Sequence, residues 1–439
     1  MPRTPETGDR PELGSPEIDG RGPLELGPCI HEYPGKRRIF RATLADGRAV
    51  VAKFYLGRFA QWHEWRRGVR GARRLEAAGV PAPAVHYAGY CPQYRAWLLV
   101  LDHIEADEPW PPPSGDPGPK AHQRLIRTLA EHHRAGILQN DLNWLNFIPR
   151  GGQLFAIDGD RVQRRRTPLG RRTAMRHLQR LYASKTRIPE ARIEEGYRQY
   201  HRERGWEPDD AGLARFLQAL RRARVGHARR VAGRAARGWK HYPRFRQGAL
   251  KGIRDRRALS HEQAVRMAAS LYDTGELPED LPVPEGRSWQ AWRIATPWDT
   301  VPGLLRPAMT RMTARRAWSH ALTLRRLGLP VPRPLAMVSA DHGLIWMLWE
   351  TDPAVRGLDA PDASGAMRPG PEPAAALWTA LRDYGIRFRG RDARALGTDG
   401  RALWILDPLP LSFGRPGAAR LLRAAQADRE WLIRISTRG

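Results

Sequence analysis

The stretch HRAGILQNDLNWLNF (133–147), with FAIDGDR (155–161) close behind it, decides how this chain is read. Before it, Leu125, Leu129 and His133 share one face of a helical pattern that begins near Ala121, and Gly136 marks its end. Asp141 and Asn146 then stand five residues apart in a tight loop. Asp158 follows the strand-like run QLFAI, with Asp160 two residues further on. Transfer of a phosphoryl group from a nucleotide needs a cation on the phosphates, an acid that fixes that cation, a base beside the acceptor hydroxyl and oxygen ligands for magnesium. Asp141 offers the base, while the amide oxygen of Asn146 and the carboxylate of Asp158 offer hard-oxygen ligands.

Upstream, RRIFRATL (37–44) and AVVAKFY (49–55) read as two strands joined through Asp46-Gly47, a dipeptide that favours a hairpin turn. Lys53 ends the run AVVAK, where its ammonium can reach nucleotide phosphates from a strand. A helix is expected next, because Trp62, Trp65, Val69, Ala72 and Leu75 recur at helical steps until Gly79 and Pro81. Glu64, on that helix, is expected to hold Lys53 in place. RAWLLVLDHI (95–104) reads as a further strand, and the Pro-rich EPWPPPSGDPGP (108–119) as a linker. A strand lysine is commonly a solvated residue and an Asp after a strand commonly a turn or cap. The joint order, with the right elements between the residues, is what points to chemistry.

On these residues the chain resembles the protein-kinase-like fold, and within it the bacterial lipopolysaccharide kinase (Kdo/WaaP) family. The likeness spans residues of about 33 to 255 and lies in RRIFRATLADGRAVVAKFY, HEW, HRAGILQNDLNWLNF and FAIDGDR. It implies an α+β, two-lobed fold. Lys53 would be the nucleotide-phosphate lysine, Glu64 its helix partner, Asp141 the catalytic base, and Asn146 and Asp158 the magnesium ligands. It implies ATP and magnesium as cofactors. Members phosphorylate Kdo or heptose of the lipopolysaccharide inner core on the cytoplasmic side of the inner membrane. Two departures stand out: Gln139 replaces the usual His two before the base, and in place of a G-x-G-x-x-G loop there is only YPGKRR, with Gly35.

The chain has 439 residues and a formal charge of +28. Residues 161–260 hold 29 basic and 8 acidic side chains, so most of the excess lies in that segment. An anionic partner is expected there: the phosphorylated core saccharide or glycolipid, or an anionic membrane surface. Trp239, Tyr242 and Phe245, set among Arg and Lys, suit a membrane interface as well as nucleic acid, and nucleic acid is the less expected partner. With only Cys29 and Cys91, no signal-peptide pattern and no apolar run of spanning length, the expected place is the cytoplasm, peripheral at the inner membrane. His132 and His133 are adjacent and make no metal-binding spacing.

Residues 1–22 are expected to be a disordered tail, 23–259 the catalytic domain with its basic segment 161–259, and 260–439 a second, degenerate kinase-like domain. The last rests on an internal echo: ARRAWSHALTLRRLGLPVPRPLAM, from Ala314, follows the style of EWRRGVRGARRLEAAGVPAPAVHY, and GRDARALGTDGRALWILDPL, from Gly390, follows QNDLNWLNFIPRGGQLFAIDGD. Asp392 and Asp407 stand where Asp141 and Asp158 do, but Gly397 takes the place of Asn146, and no lysine follows Lys251. Other readings of the whole chain are a small-molecule kinase of the aminoglycoside or choline type and a non-catalytic, kinase-derived scaffold.

Overall fold

The computed structural model describes residues 15–437 except 19, 21, 58, 60, 111–117, 143, 185–187, 295–305, 341–344, 359–368 and 415–418. The chain forms two compact units. The first runs to Leu181 and again to Leu213, and the second comprises 182–186 and everything from Ala214 on.

The first unit opens with a short ladder, β1 (Glu17–Ile18) on β2 (Gly22–Pro23). Residues 1–14 of the expected tail lie outside the described residues, but near its end Ile18 is buried, as is Leu24 just beyond it. Then come β3 (Glu25–Tyr33), β4 (Arg37–Thr43), β5 (Ala49–Leu56), helix α1 (Trp62–Glu76), β6 (Val85–Cys91) and β7 (Ala96–Asp102). The strands form one antiparallel sheet in the order β3-β4-β5-β7-β6. The Asp46-Gly47 hairpin forms as its sequence predicts, with Gly47 at φ +81° and its N–H on the Leu44 carbonyl at 2.9 Å. Period-two alternation sends Val50, Ala52 and Phe54 of β5 into the core and turns Val51 and Lys53 to the other face. On α1, Trp65 stacks on Trp97 at 4.4 Å and donates its indole N–H to the Leu98 carbonyl at 3.0 Å, which seats the helix on β7.

Next come α2 (Gly118–Arg134), β8 (Ile137–Gln139), a 3-10 turn at Trp144–Asn146, the hairpin β9 (Phe147–Arg150) with β10 (Gln153–Ala156), β11 (Val162–Arg164), α3 (Arg171–Ala183) and α4 (Glu190–Glu203). β8 pairs with β11, so the two ends of the loop segment 140–161 are tied together.

After α5 (Asp210–Ala235), the second unit contains β12 (Arg244–Gln247), β13 (Leu250–Arg254), α6 (His261–Asp273), β14 (Ser288–Arg293), α7 (Arg306–Arg326), β15 (Arg333–Ser339) and β16 (Ile345–Thr351). Its antiparallel sheet has the order β12-β13-β15-β16-β14. β17 (Arg356–Gly357), α8 (Pro371–Tyr384), β18 (Ile386–Phe388), a 3-10 turn at Ala393–Ala395, β19 (Leu396–Thr398), β20 (Leu403–Ile405), β21 (Leu411–Phe413) and α9 (Ala419–Thr437) complete it. Helix, strand, 3-10 turn, hairpin, strand is the order seen from α2 to β11, and β18 pairs with β21 as β8 does with β11. The echo read at Gly390 is therefore also an echo of strand pairing. The boundary differs from the expected residue 259, because β12 and β13 belong to the second sheet.

Two of the three aromatics proposed for a membrane interface are used in packing. Phe245 is buried, and Tyr242 meets Trp318 edge to face at 6.1 Å. Among the described residues no helix is long and apolar enough to cross a membrane.

Candidate active site

Lys53, Asn146 and Asp158, placed on three separate elements, line one cavity of about 490 Å³ in the first unit. Its walls are apolar: Ile39 and Val51 on the sheet side, Leu145, Ile148 and Ile157 opposite. Strand register explains the first wall, since Ile39 of β4 pairs with Lys53 of β5 and Val51 shares the Lys53 face. Asp102, His103 and Ile104, where the chain leaves β7, contribute to the lining as well. A volume of this size, lined by apolar side chains together with several polar and charged ones, is that of a small-molecule site.

The polar end is held by short-range bonds. The Asn146 amide donates to the Asp141 carbonyl at 2.9 Å, which ties the two positions of the loop and, among the described residues, leaves the Asn146 amide oxygen available to a cation. Asp141 itself is exposed. The backbone N–H of Ile157 donates to the Asn146 carbonyl at 3.0 Å, so the loop and the 157–160 turn are one construction. Within that turn the N–H of Asp160 donates to the Asp158 carboxylate at 3.2 Å. Burial and the neighbouring Asp158 raise the Asp160 carboxyl above the usual carboxylate range, against the pull of Lys53 and Arg37. Arg37 meets Asp160 at 3.3 Å and also lines the cavity.

Glu64 is not brought to Lys53. It lies 4.0 Å from Arg67, three residues along α1, and among the described residues no ion pair joins it to Lys53. Lys53 instead acts electrostatically on Asp160, pulling its carboxyl down. Gly35 forms the turn between β3 and β4 at φ +68° and does not line the cavity. Gln139 is buried, and neither its amide oxygen nor its nitrogen has a partner among the described residues.

Several residues that the sequence reading passed over build the site. α1 approaches the Asp158–Asp160 turn so closely that a Cβ on Gly68 would meet the Asp160 carboxylate and the Tyr55 hydroxyl, each at 2.9 Å. A GxxG step on an otherwise Arg-rich helix was the available signal. Below the loop, His177 donates through Nε2 to the Gln139 carbonyl at 2.5 Å. Its Nδ1 must then accept from His133 Nε2, 2.7 Å away, and His133 Nδ1 from the Tyr200 hydroxyl at 2.5 Å. Arg204 in turn donates to the Tyr200 oxygen at 2.9 Å. Burial holds both histidines neutral, His177 at a pKa of about 4 and His133 well below its ordinary value, as the chain of donors demands. Histidine here anchors the strand that leads to Asp141. Among the described residues no cluster of three His, Cys, Asp or Glu forms a metal site. Asn146 and Asp158 supply two hard oxygens, a set that suits magnesium, which retains water and takes phosphate oxygens as further ligands.

In the second unit Asp392 caps the 3-10 turn, accepting from the Arg394 N–H at 3.0 Å and pairing with its guanidinium at 2.8 Å. Asp407 accepts from the Leu409 N–H at 2.8 Å. A Cβ on Gly397 would lie 2.6 Å from the Arg356 carbonyl, so no side chain fits there. A strand does precede α7, and it ends in Arg293 rather than lysine.

No family model matches the chain, and no curated protein does. Among solved structures, that of a candidate aminoglycoside phosphotransferase from Ralstonia eutropha aligns with a TM-score of 0.36 and 12% identity over 51% of this chain and 87% of that one. At that distance the functional reading has to come from the residues of the site.

Proposed function

We propose that the first unit is an ATP- and magnesium-dependent phosphotransferase acting on an alcohol, and that its acceptor is a sugar hydroxyl of the lipopolysaccharide inner core, Kdo or heptose. The observation that carries the reading is the meeting of Lys53, Asn146 and Asp158 in one apolar-walled cavity, with Asp141 bonded to Asn146 at 2.9 Å through its carbonyl. The adenine and ribose would fill the apolar part of the cavity and the phosphates its polar end, where the Lys53 ammonium neutralises charge. Asp160, half-buried and paired with Arg37, adds negative charge that would help keep the Lys53 ammonium at the turn. Asp141, exposed at the edge of the loop, receives the proton of the acceptor hydroxyl. Magnesium, when bound through Asn146 and Asp158, would offset charge on the transferred group. The second unit binds or stabilises rather than catalyses.

The test is transfer of labelled phosphate from ATP to purified core saccharide, with an aminoglycoside and choline as contrasting acceptors. Transfer to the saccharide alone is the expected result. Transfer to the cationic acceptors alone would move the enzyme to the aminoglycoside or choline type, and absence of both transfer and magnesium-dependent ATP binding would leave a scaffold.

A further inference from the structure

A second cavity, of about 370 Å³, takes Asp160 and Arg161 as lining where the first takes Asp158. It is lined by Arg67, Arg70, Arg74, Asn140 and Arg161. The three helix arginines follow steps of three and four along α1, which puts them on one face. Asn140 holds the fourth: its backbone and side-chain N–H groups both donate to the Arg161 carbonyl at 3.1 Å, and its own oxygen accepts from Arg180 at 2.9 Å. Arg74 spends one N–H on the Val162 carbonyl at 2.7 Å.

Little acid opposes these cations. The one carboxylate in the lining, Asp160, is shared: it pairs with Arg37 at 3.3 Å and also feels Lys53 and Arg67, while Glu64 reaches Arg67 only at 4.0 Å and in solvent, where an ion pair is weak. Among the described residues Arg70 and Arg161 have no ion pair. Four guanidinium groups around one concavity repel each other unless an oxyanion joins them, and the planar fork of Arg is suited to phosphate or carboxylate. Asn140 adjoins Asp141, which sets the pocket beside the residue assigned as base. A volume of this size also falls within the range of small-molecule sites, roughly 300–1,000 Å³.

We infer that this pocket binds an oxyanion, phosphate or carboxylate, carried by the acceptor itself, so that the enzyme selects acceptors that are already anionic. The inference rests on the phosphotransferase reading and names its substrate class. A cationic acceptor would meet the same four arginines as repulsion.

The full chain titrated calorimetrically with inorganic phosphate, glucose 6-phosphate and glucose, without nucleotide and again with ADP-magnesium saturating, tests the pocket. Phosphate and glucose 6-phosphate are expected to bind under both conditions and glucose in neither. Arg70→Gln with Arg161→Gln should weaken both anions at least tenfold while ADP-magnesium affinity stays within twofold. Arg70→Lys with Arg161→Lys, which keeps the charge and loses the fork, should fall between and covers the case in which the Gln variant does not fold. Unchanged phosphate affinity in both variants, or glucose binding as well as glucose 6-phosphate, overturns the proposal. A protein that binds no ADP-magnesium yet loses phosphate binding in the variants would refute the phosphotransferase reading, and with it the acceptor role, while leaving an anion pocket established. With core saccharide as acceptor, the Gln variant should raise the acceptor KM about tenfold with kcat and the ATP KM nearly level. A fall in kcat at unchanged acceptor KM would show a regulatory anion and overturn the acceptor assignment.

Discussion

Gly71 of α1 and Gly159 of the Asp158–Asp160 turn pack backbone against backbone: a Cβ on Gly71 would stand 1.6 Å from the Gly159 carbonyl oxygen. The reverse substitution also clashes, for a Cβ on Gly159 would stand 2.6 Å from the Ala72 nitrogen. This contact fixes how closely α1 approaches the turn that carries Asp158.

Gly71→Ala is therefore expected to push α1 off the turn. Elsewhere in a helix this change stabilises by up to about 1 kcal/mol, but here the clash should cost on the order of 3 kcal/mol or more. Thermal unfolding and nucleotide titration check it, and both stability and affinity should fall. Gly233→Ala on α5, where only the tip of Arg237 comes within 3.9 Å, is the control that should do neither.

Asp141→Asn should lower turnover about a hundredfold or more while ATP binding persists, because it removes the base and leaves the cavity intact. Asp158→Asn should act earlier, weakening magnesium-nucleotide binding itself. Steady-state kinetics and nucleotide titration at low magnesium separate the two. Exchange of these phenotypes would exchange the roles.

The buried histidines give stability a pH dependence of known sign. His132 and His177 have native pKa values of about 4, against about 6.5 for an unfolded histidine, with burial the main cause. Below 6.5 the unfolded chain takes up protons that the native state refuses, so this contribution is whole above that pH and is lost as the pH falls toward 4. Asp160, whose carboxyl is raised by burial, works in the opposite direction. The comparison that isolates the histidines is urea unfolding of wild type and His177→Asn at pH 7.5 and 5. The wild type should lose more between the two, by up to about 2 kcal/mol for the one histidine removed.

Asp392→Ala and Asp407→Ala should leave turnover near that of the wild type. Each carboxylate is occupied with a backbone N–H of its own turn, so any cost should appear as a lowered melting temperature and not as lost turnover. Loss of activity with an unchanged melting curve would show that the second unit takes part in the chemistry.

Elements and local spacing could be read from the residues alone. The strands around Asp46-Gly47, the helix from Trp62 and the loop that keeps Asp141 five residues from Asn146 follow from alternation, helical steps and turn residues, all of which act over a few positions. The echo in the second half could be read for the same reason. Which acid meets which cation was decided by the tertiary structure. Helical position alone suggested Glu64 for Lys53, yet Arg37 finds Asp160 across 123 residues and Lys53 acts on the same carboxylate. The packing of α1 against the 158–160 turn, the burial of Ile18 and the histidine chain from Tyr200 to Gln139 depend likewise on distances between elements. Those distances are set by how side-chain volumes fill the core, and no period in the sequence encodes them.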